Sequence, residues 1–192
     1  MDGAELDRIL ASASSGAQRI EWFGALLAKE SGLGSRLAIV GGSAIEVYLR
    51  SDRYVSEDID VVGDRRRIAP VLEKWGFESE QGRDARTYWS KTGLGKVDLV
   101  GSAERAGLPS RMRGTKYGPV RLGPVEYLIV RRLMRSGREH DLELFRQAEA
   151  LAVDYGPSLD WDYLRGQARY EGVLPLFERL REQVGPVTPR RK

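Results

Sequence analysis

Between residues 5 and 30, apolar side chains recur at helical spacing: Leu6, Ile9 and Leu10, then Ile20, Phe23, Leu26 and Leu27. The polar run "SASSGA" interrupts them, so the period predicts one or two amphipathic helices. The pattern then shortens. "SRLAIVGG" reads as a buried strand closed by glycines, and "SAIEVYLRS" as a helix that those glycines open. "EDIDVVG" is a second strand, and "RRRIAPVLEKWGF" a helix with Ile68, Val71, Leu72 and Trp75 on one face. "ARTYWSKTGLGKVDLVG" predicts a hairpin around "KTGLGK". Residues 101–118, rich in Gly, Pro, Arg and Ser, predict a loop, and "GPVRLG" a short strand. From Pro124 the period is helical, with stops at "YGPS" and "EGV", up to a Pro/Arg-rich tail expected to be disordered.

Strands early and helices late predict an α+β chain with an α/β-type core. The expected architecture is a small mixed sheet flanked by helices, with a C-terminal helical part. The expected divisions are N-terminal helices over 1–36, a strand-bearing core over 37–123, a helical part over 124–184 and a flexible tail over 185–192. Length changes this little, because 192 residues suit one domain or a compact unit with a helical annex. No apolar run approaches the ~18 residues that a membrane span needs. The first residues are acidic early and lack an apolar core, which predicts no signal peptide and a cytoplasmic location. The chain has no cysteine and only one histidine, His140, which excludes thiolate and His-rich metal sites. A formal charge of +3 permits an anionic partner without requiring one. The basic residues cluster at Arg65 to Arg67, Arg111 to Lys116 and the last three positions.

Candidate chemistry begins with Asp58 and Asp60 in the second strand. At i and i+2 they share one face, and carboxylates are poor strand formers that are costly to bury alone. "KVDLV" adds Asp98 on a later strand, set among apolar residues. Carboxylates on two strands among apolar neighbours suit a cation. Mg²⁺, or Mn²⁺, takes oxygen ligands and keeps positions for water and phosphate. The turn Gly41-Gly42-Ser43 opens a helix, where free N–H groups and the helix dipole favour phosphate. Together these parts imply nucleotidyl transfer from a nucleoside triphosphate (NTP).

In that order, strand, "GGS", helix, "SEDIDVV" and a later single aspartate, the chain resembles the polymerase-β-like nucleotidyltransferase superfamily. Within it, "VGGSAIEVYL", "SEDIDVV" and "REHDLELF" are most similar to AbiEii-type toxins and related prokaryotic nucleotidyltransferases. The resemblance implies the nucleotidyltransferase fold, with Asp58, Asp60 and Asp98 as metal ligands and catalytic residues. It implies nucleotide contacts from Gly41, Gly42, Ser43, Arg132, Arg138 and Asp141, with Arg132 standing where relatives usually have lysine. Arg138 and Asp141, three apart, also suit an ion pair along one helix. The acceptor implied is RNA, a tRNA end in those toxins, with a cognate antitoxin as possible partner. Arg65, Arg66, Arg111, Arg113 and Lys116 are the expected RNA contacts. The alternatives are a small-molecule, antibiotic-type acceptor, or a low-turnover nucleotide-binding protein governed by a partner.

Overall fold

A computed structural model describes residues 1–51, 53–79, 86–90, 95–101 and 110–185. The expected hairpin turn at 91–94, most of the expected loop, 102–109, and the tail at 186–192 lie outside the described residues. The chain divides into two compact units, Met1–Gly123 and Pro124–Lys192. Among the described residues no helix is long and apolar enough to cross a membrane.

The first unit is a mixed α/β arrangement. Its elements are α1 (Gly3–Ala11), α2 (Gly16–Glu30), a 3-10 turn (Gly34–Arg36), β1 (Ala38–Val40), α3 (Gly41–Leu49), β2 (Asp58–Val62), α4 (Arg65–Lys74), β3 (Phe77–Ser79), β4 (Thr87–Ser90), β5 (Lys96–Leu99), β6 (Arg111–Thr115) and β7 (Gly118–Leu122). The seven strands form one sheet in the order β3-β4-β5-β2-β1-β7-β6. The β1/β7 and β2/β5 pairs are parallel, and the others are antiparallel.

Alternation along the central strands sorts their residues by face. Ile39, Ile59, Val61, Val97, Leu99, Val120 and Leu122 are all buried, and the register puts them on one side. Helix α2 lies on that side. A Cβ on its Gly24 would stand 2.7 Å from Val120 and 2.9 Å from Ile39, so glycine sets how closely the helix approaches the sheet. Phe23 extends the layer through ring contacts with Trp75 and Phe77. The other side carries Asp58, Asp60, Lys96, Asp98, Thr87 and Trp89.

Two expected boundaries are corrected. The helix expected to run through Phe77 ends at Lys74. Gly76, at φ +83°, turns the chain, and Phe77 begins the three-residue strand β3. The expected loop instead holds β6, which pairs with β7 from Arg111↔Leu122 to Thr115↔Gly118.

The second unit contains α5 (Val125–Glu139), α6 (Leu142–Tyr155), a 3-10 turn (Gly156–Ser158), α7 (Trp161–Tyr170) and α8 (Leu174–Val184). Leu128, Ile129, Leu133, Leu144, Phe145, Leu151, Leu164, Phe177 and Leu180 are buried in it. His140, at φ +52°, closes α5, and Asp141 caps α6 by accepting from the Glu143 N–H at 2.7 Å. Arg138 and Asp141 therefore flank a helix break, which corrects the expectation of a pair along one helix.

Candidate active site

Three carboxylates converge because of strand register. Asp58 and Asp60 stand at the first and third positions of β2, and Asp60 is the direct neighbour of Asp98 on parallel β5. One ligand oxygen from each of Asp58, Asp60 and Asp98 lies within 4.8 Å of the other two, and all three residues are half-buried. Two trans oxygens on a single Mg²⁺ are about 4.2 Å apart, so small side-chain rotations suffice to close the set on one ion. All three donors are hard oxygens, the type that Mg²⁺ and Mn²⁺ prefer.

A fourth charged group already sits among them. The Lys96 ammonium is 2.8 Å from Asp98 Oδ2 and 3.2 Å from Asp58 Oδ2. The register accounts for it, since Lys96 pairs with Asp58 and stands two residues before Asp98 on the same face. Its hydrogen bond to Asp98 holds its pKa above the ordinary lysine value. Desolvation opposes that rise, and the contact with Asp58 adds to it. The Thr87 hydroxyl donates to Asp98 Oδ1 at 2.8 Å, so both oxygens of this carboxylate are oriented. Ser56 does the same for Asp58: its hydroxyl lies 2.8 Å from the Asp58 carbonyl and 3.3 Å from Oδ1. Ser56 is in turn held by the buried Glu46, whose Oε2 accepts its N–H at 2.8 Å.

The glycine turn lies against this cluster. Gly41 has φ +62°, and a Cβ there would stand 1.7 Å from Asp60 Oδ2. Only glycine lets the Asp60 carboxylate occupy that space. Ser43 is fully buried. Its hydroxyl donates to the Val40 carbonyl at 3.0 Å and accepts from the Asp60 N–H at 3.3 Å, tying β1 and α3 to β2. Helices α1, α2, α4, α6 and α7 begin under an Asp or Ser side chain that accepts a backbone N–H. Helices α3, α5 and α8 have no side-chain cap, and at α3, which follows Val40, the half-buried Gly41 stands against the Asp60 carboxylate.

The remaining expected contacts are dispersed. Arg65 and Arg66 open α4, beyond the far end of β2 from Asp58. Arg111 and Arg113 lie on β6, and Arg113 Nε is 3.9 Å from Glu21. The Lys116 ammonium stacks over Trp22 at 3.9 Å and near Tyr117 at 5.0 Å. In the second unit Arg132 is buried within α5, Arg138 is exposed in its last turn, and Asp141 is the cap described above. Sequence reasoning overlooked Lys96, Thr87, Ser56 and Glu46. The same i, i+2 rule that paired Asp58 with Asp60 would have found Lys96. Thr87 depends on the β4/β5 register and left no local sign.

No protein-family model matches the sequence, and no curated protein matches it. Among the solved structures similar to it are two nucleotidyltransferase-related proteins. One is the antibiotic-resistance factor ANT(2'')-Ia, at 19% identity over 86% of this chain and 100% of that chain, with a TM-score of 0.49. The other is an antigenic nucleotidyltransferase-like protein from Paracoccidioides brasiliensis, at 15% identity over 94% of this chain and 93% of that one, with a TM-score of 0.51. At such identity the likeness to the second is one of fold alone, the fold of a nucleotidyltransferase-like protein.

Proposed function

We propose that the chain is a metal-dependent nucleotidyltransferase that moves a nucleoside monophosphate from an NTP onto a hydroxyl. The observation that carries the reading is the carboxylate trio, half-buried beside an uncapped helix N-terminus. In the reaction the acceptor oxygen bonds to the α-phosphorus, the α–β phosphoanhydride bond breaks, and pyrophosphate leaves with its electron pair. Asp58, Asp60 and Asp98 would hold Mg²⁺ or Mn²⁺, which supplies charge neutralisation for the triphosphate and the entering oxygen.

The chain's own groups do the rest. The first N–H groups of α3 and its dipole bind phosphate, and Gly41 and Gly42 let it approach closely. Asp98, oriented by Thr87, aligns the acceptor hydroxyl and takes its proton. Ser43 contributes by fixing the turn and Asp60 rather than by touching the nucleotide. Arg132, Arg138 and Asp141 enter as nucleotide contacts through the family resemblance.

The proposed acceptor is RNA. The resemblance to AbiEii-type toxins supports this and extends it to a tRNA end and a cognate antitoxin. Incubation with Mg²⁺, cellular RNA and each α-labelled NTP should give labelled RNA. Asp58→Ala or Asp60→Ala should reduce labelling by about 10³-fold or more. Asp98→Asn should keep nucleotide binding and lose turnover. Full activity of either alanine variant would overturn the metal assignment. Label appearing only on a small hydroxylated compound would move the acceptor to that class.

A further inference from the structure

Past the far end of β2 from Asp58, the first unit has a pocket of ≈ 650 Å³ whose charge is almost entirely of one sign. Arg36, Arg65, Arg67, Arg86 and Arg121 line it, and among the described residues Asp64 is the one acidic residue in the lining. These arginines come from four separate segments: the 3-10 turn, the start of α4, the residue before β4, and β7. Only Arg65 and Arg67 are near neighbours in sequence, so the convergence belongs to the fold. Neighbouring arginine Arg66 is not part of the lining.

The pocket is built rather than accidental. Its floor continues the parallel β2/β5 pair, with Val100 N–H donating to Val61 O at 3.0 Å and Gly63 N–H to Gly101 O at 3.3 Å. The Arg121 guanidinium is held by the Ser110 hydroxyl and by the Ser35 carbonyl, the latter at 3.0 Å. The Arg67 guanidinium lies over Gly32, where a Cβ would come within 2.6 Å of its Nη2. Leu33 and Leu99 form an apolar wall. Guanidinium groups match the paired oxygens of phosphate, and the volume is that of a small-molecule site.

We propose that this pocket is a second anion site, which takes a ligand carrying two or more clustered phosphate groups. Among the described lining residues, five arginines against one aspartate leave four positive charges, the balance that a di- or triphosphate supplies. Asp64 does not close the pocket to anions, because its Oδ1 already accepts the Arg66 N–H at 3.0 Å as the cap of α4. From Asp60 to Asp64 the chain advances about 13 Å at strand rise, so the pocket shares no residue with the carboxylate trio. The proposal holds whether or not those carboxylates catalyse transfer.

The test uses the full chain in EDTA, so that metal-dependent nucleotide binding does not contribute. Inorganic tripolyphosphate is titrated calorimetrically at low and raised salt, and the amide resonances of Gly63, Gly101, Gly41 and Gly42 are followed. Arg36, Arg67 and Arg86 are replaced together by glutamine. All three are exposed, so the variant should fold, and its unliganded Tm should equal or exceed that of the wild type. Tripolyphosphate should shift Gly63 and Gly101, and bind roughly tenfold or more weakly to the triple variant and at raised salt. Single-stranded RNA that binds where tripolyphosphate does not, and is lost in the same variant, keeps the site and assigns its phosphates to a nucleic-acid backbone. Equal affinity in wild type and variant overturns the proposal. So do shifts confined to Gly41 and Gly42, or no binding of either probe.

Discussion

At the scale of single residues, Lys96 sets how the carboxylates behave without a metal. Its ammonium touches two of the three, and its side chain is 28% exposed, so water only partly screens the contacts. Its raised pKa means that this stabilisation is complete at neutral pH. It is lost only as pH rises past the ordinary lysine value of about 10.4 and through the raised one. A divalent ion drawn to Asp58 and Asp98 must displace the ammonium. Lys96→Gln should therefore lower the stability of the metal-free protein by about 1 kcal/mol. It should also tighten Mn²⁺ binding, read from the free Mn²⁺ signal in electron paramagnetic resonance, by up to about tenfold. Unchanged or weaker Mn²⁺ binding would show that lysine and metal do not compete. Alternation made Asp58 and Asp60 legible as one face of β2, and the same rule places the overlooked Lys96 on one face of β5 with Asp98. Asp98 joins Asp60 only through parallel pairing of strands 38 residues apart, and no local pattern encodes that.

Among the elements, the unit that matters is β1, the glycine turn and α3. Two features lock it to β2, the Ser43 hydroxyl between Val40 and Asp60 and the Asp60 carboxylate over Gly41, while the Tyr48 hydroxyl donates to the Gly123 carbonyl at 2.8 Å and ties α3 to the end of β7. Gly41→Ala puts a methyl where Asp60 Oδ2 lies, at a φ that disfavours any Cβ. It should cost about 1–3 kcal/mol in chemical denaturation and weaken Mn²⁺ binding at the same time. Gly42→Ala, one residue on and not at a positive φ, provides the comparison. Loss of stability with intact Mn²⁺ affinity would show that Asp60 can move without harm to the site.

The elements missed in the sequence are those with least pattern. β3 is three residues long at a sheet edge. β6, "RMRGT", is also an edge strand, and none of its residues is fully buried, so apolar alternation is absent. Helices with an Asp or Ser cap and a buried stripe, such as α2 and α4, were legible because their signals are local.

On the scale of the molecule, a net charge of +3 conceals a separation within the first unit. Three carboxylates gather beside the start of α3, and five arginines line a pocket past the opposite end of β2. Like charges brought together destabilise the empty protein, and such strain is the usual cost of a binding site. Stability should therefore respond to ligand more than to loss of the carboxylates. Asp58→Ala combined with Asp60→Ala removes the Lys96–Asp58 contact, but it leaves Lys96–Asp98 in place and relieves repulsion among half-buried acids. Its unliganded Tm should therefore stay close to that of the wild type. With Mg²⁺ and a non-hydrolysable NTP at about a hundred times Kd, the wild type should gain about 2.7 kcal/mol by mass action. For a unit of this size that is a rise of about 10 °C. The double variant should show almost none of it. An equal rise in the double variant would place nucleotide binding away from the carboxylates and sink the transfer reading. It would leave the arginine pocket as the binding site to test next.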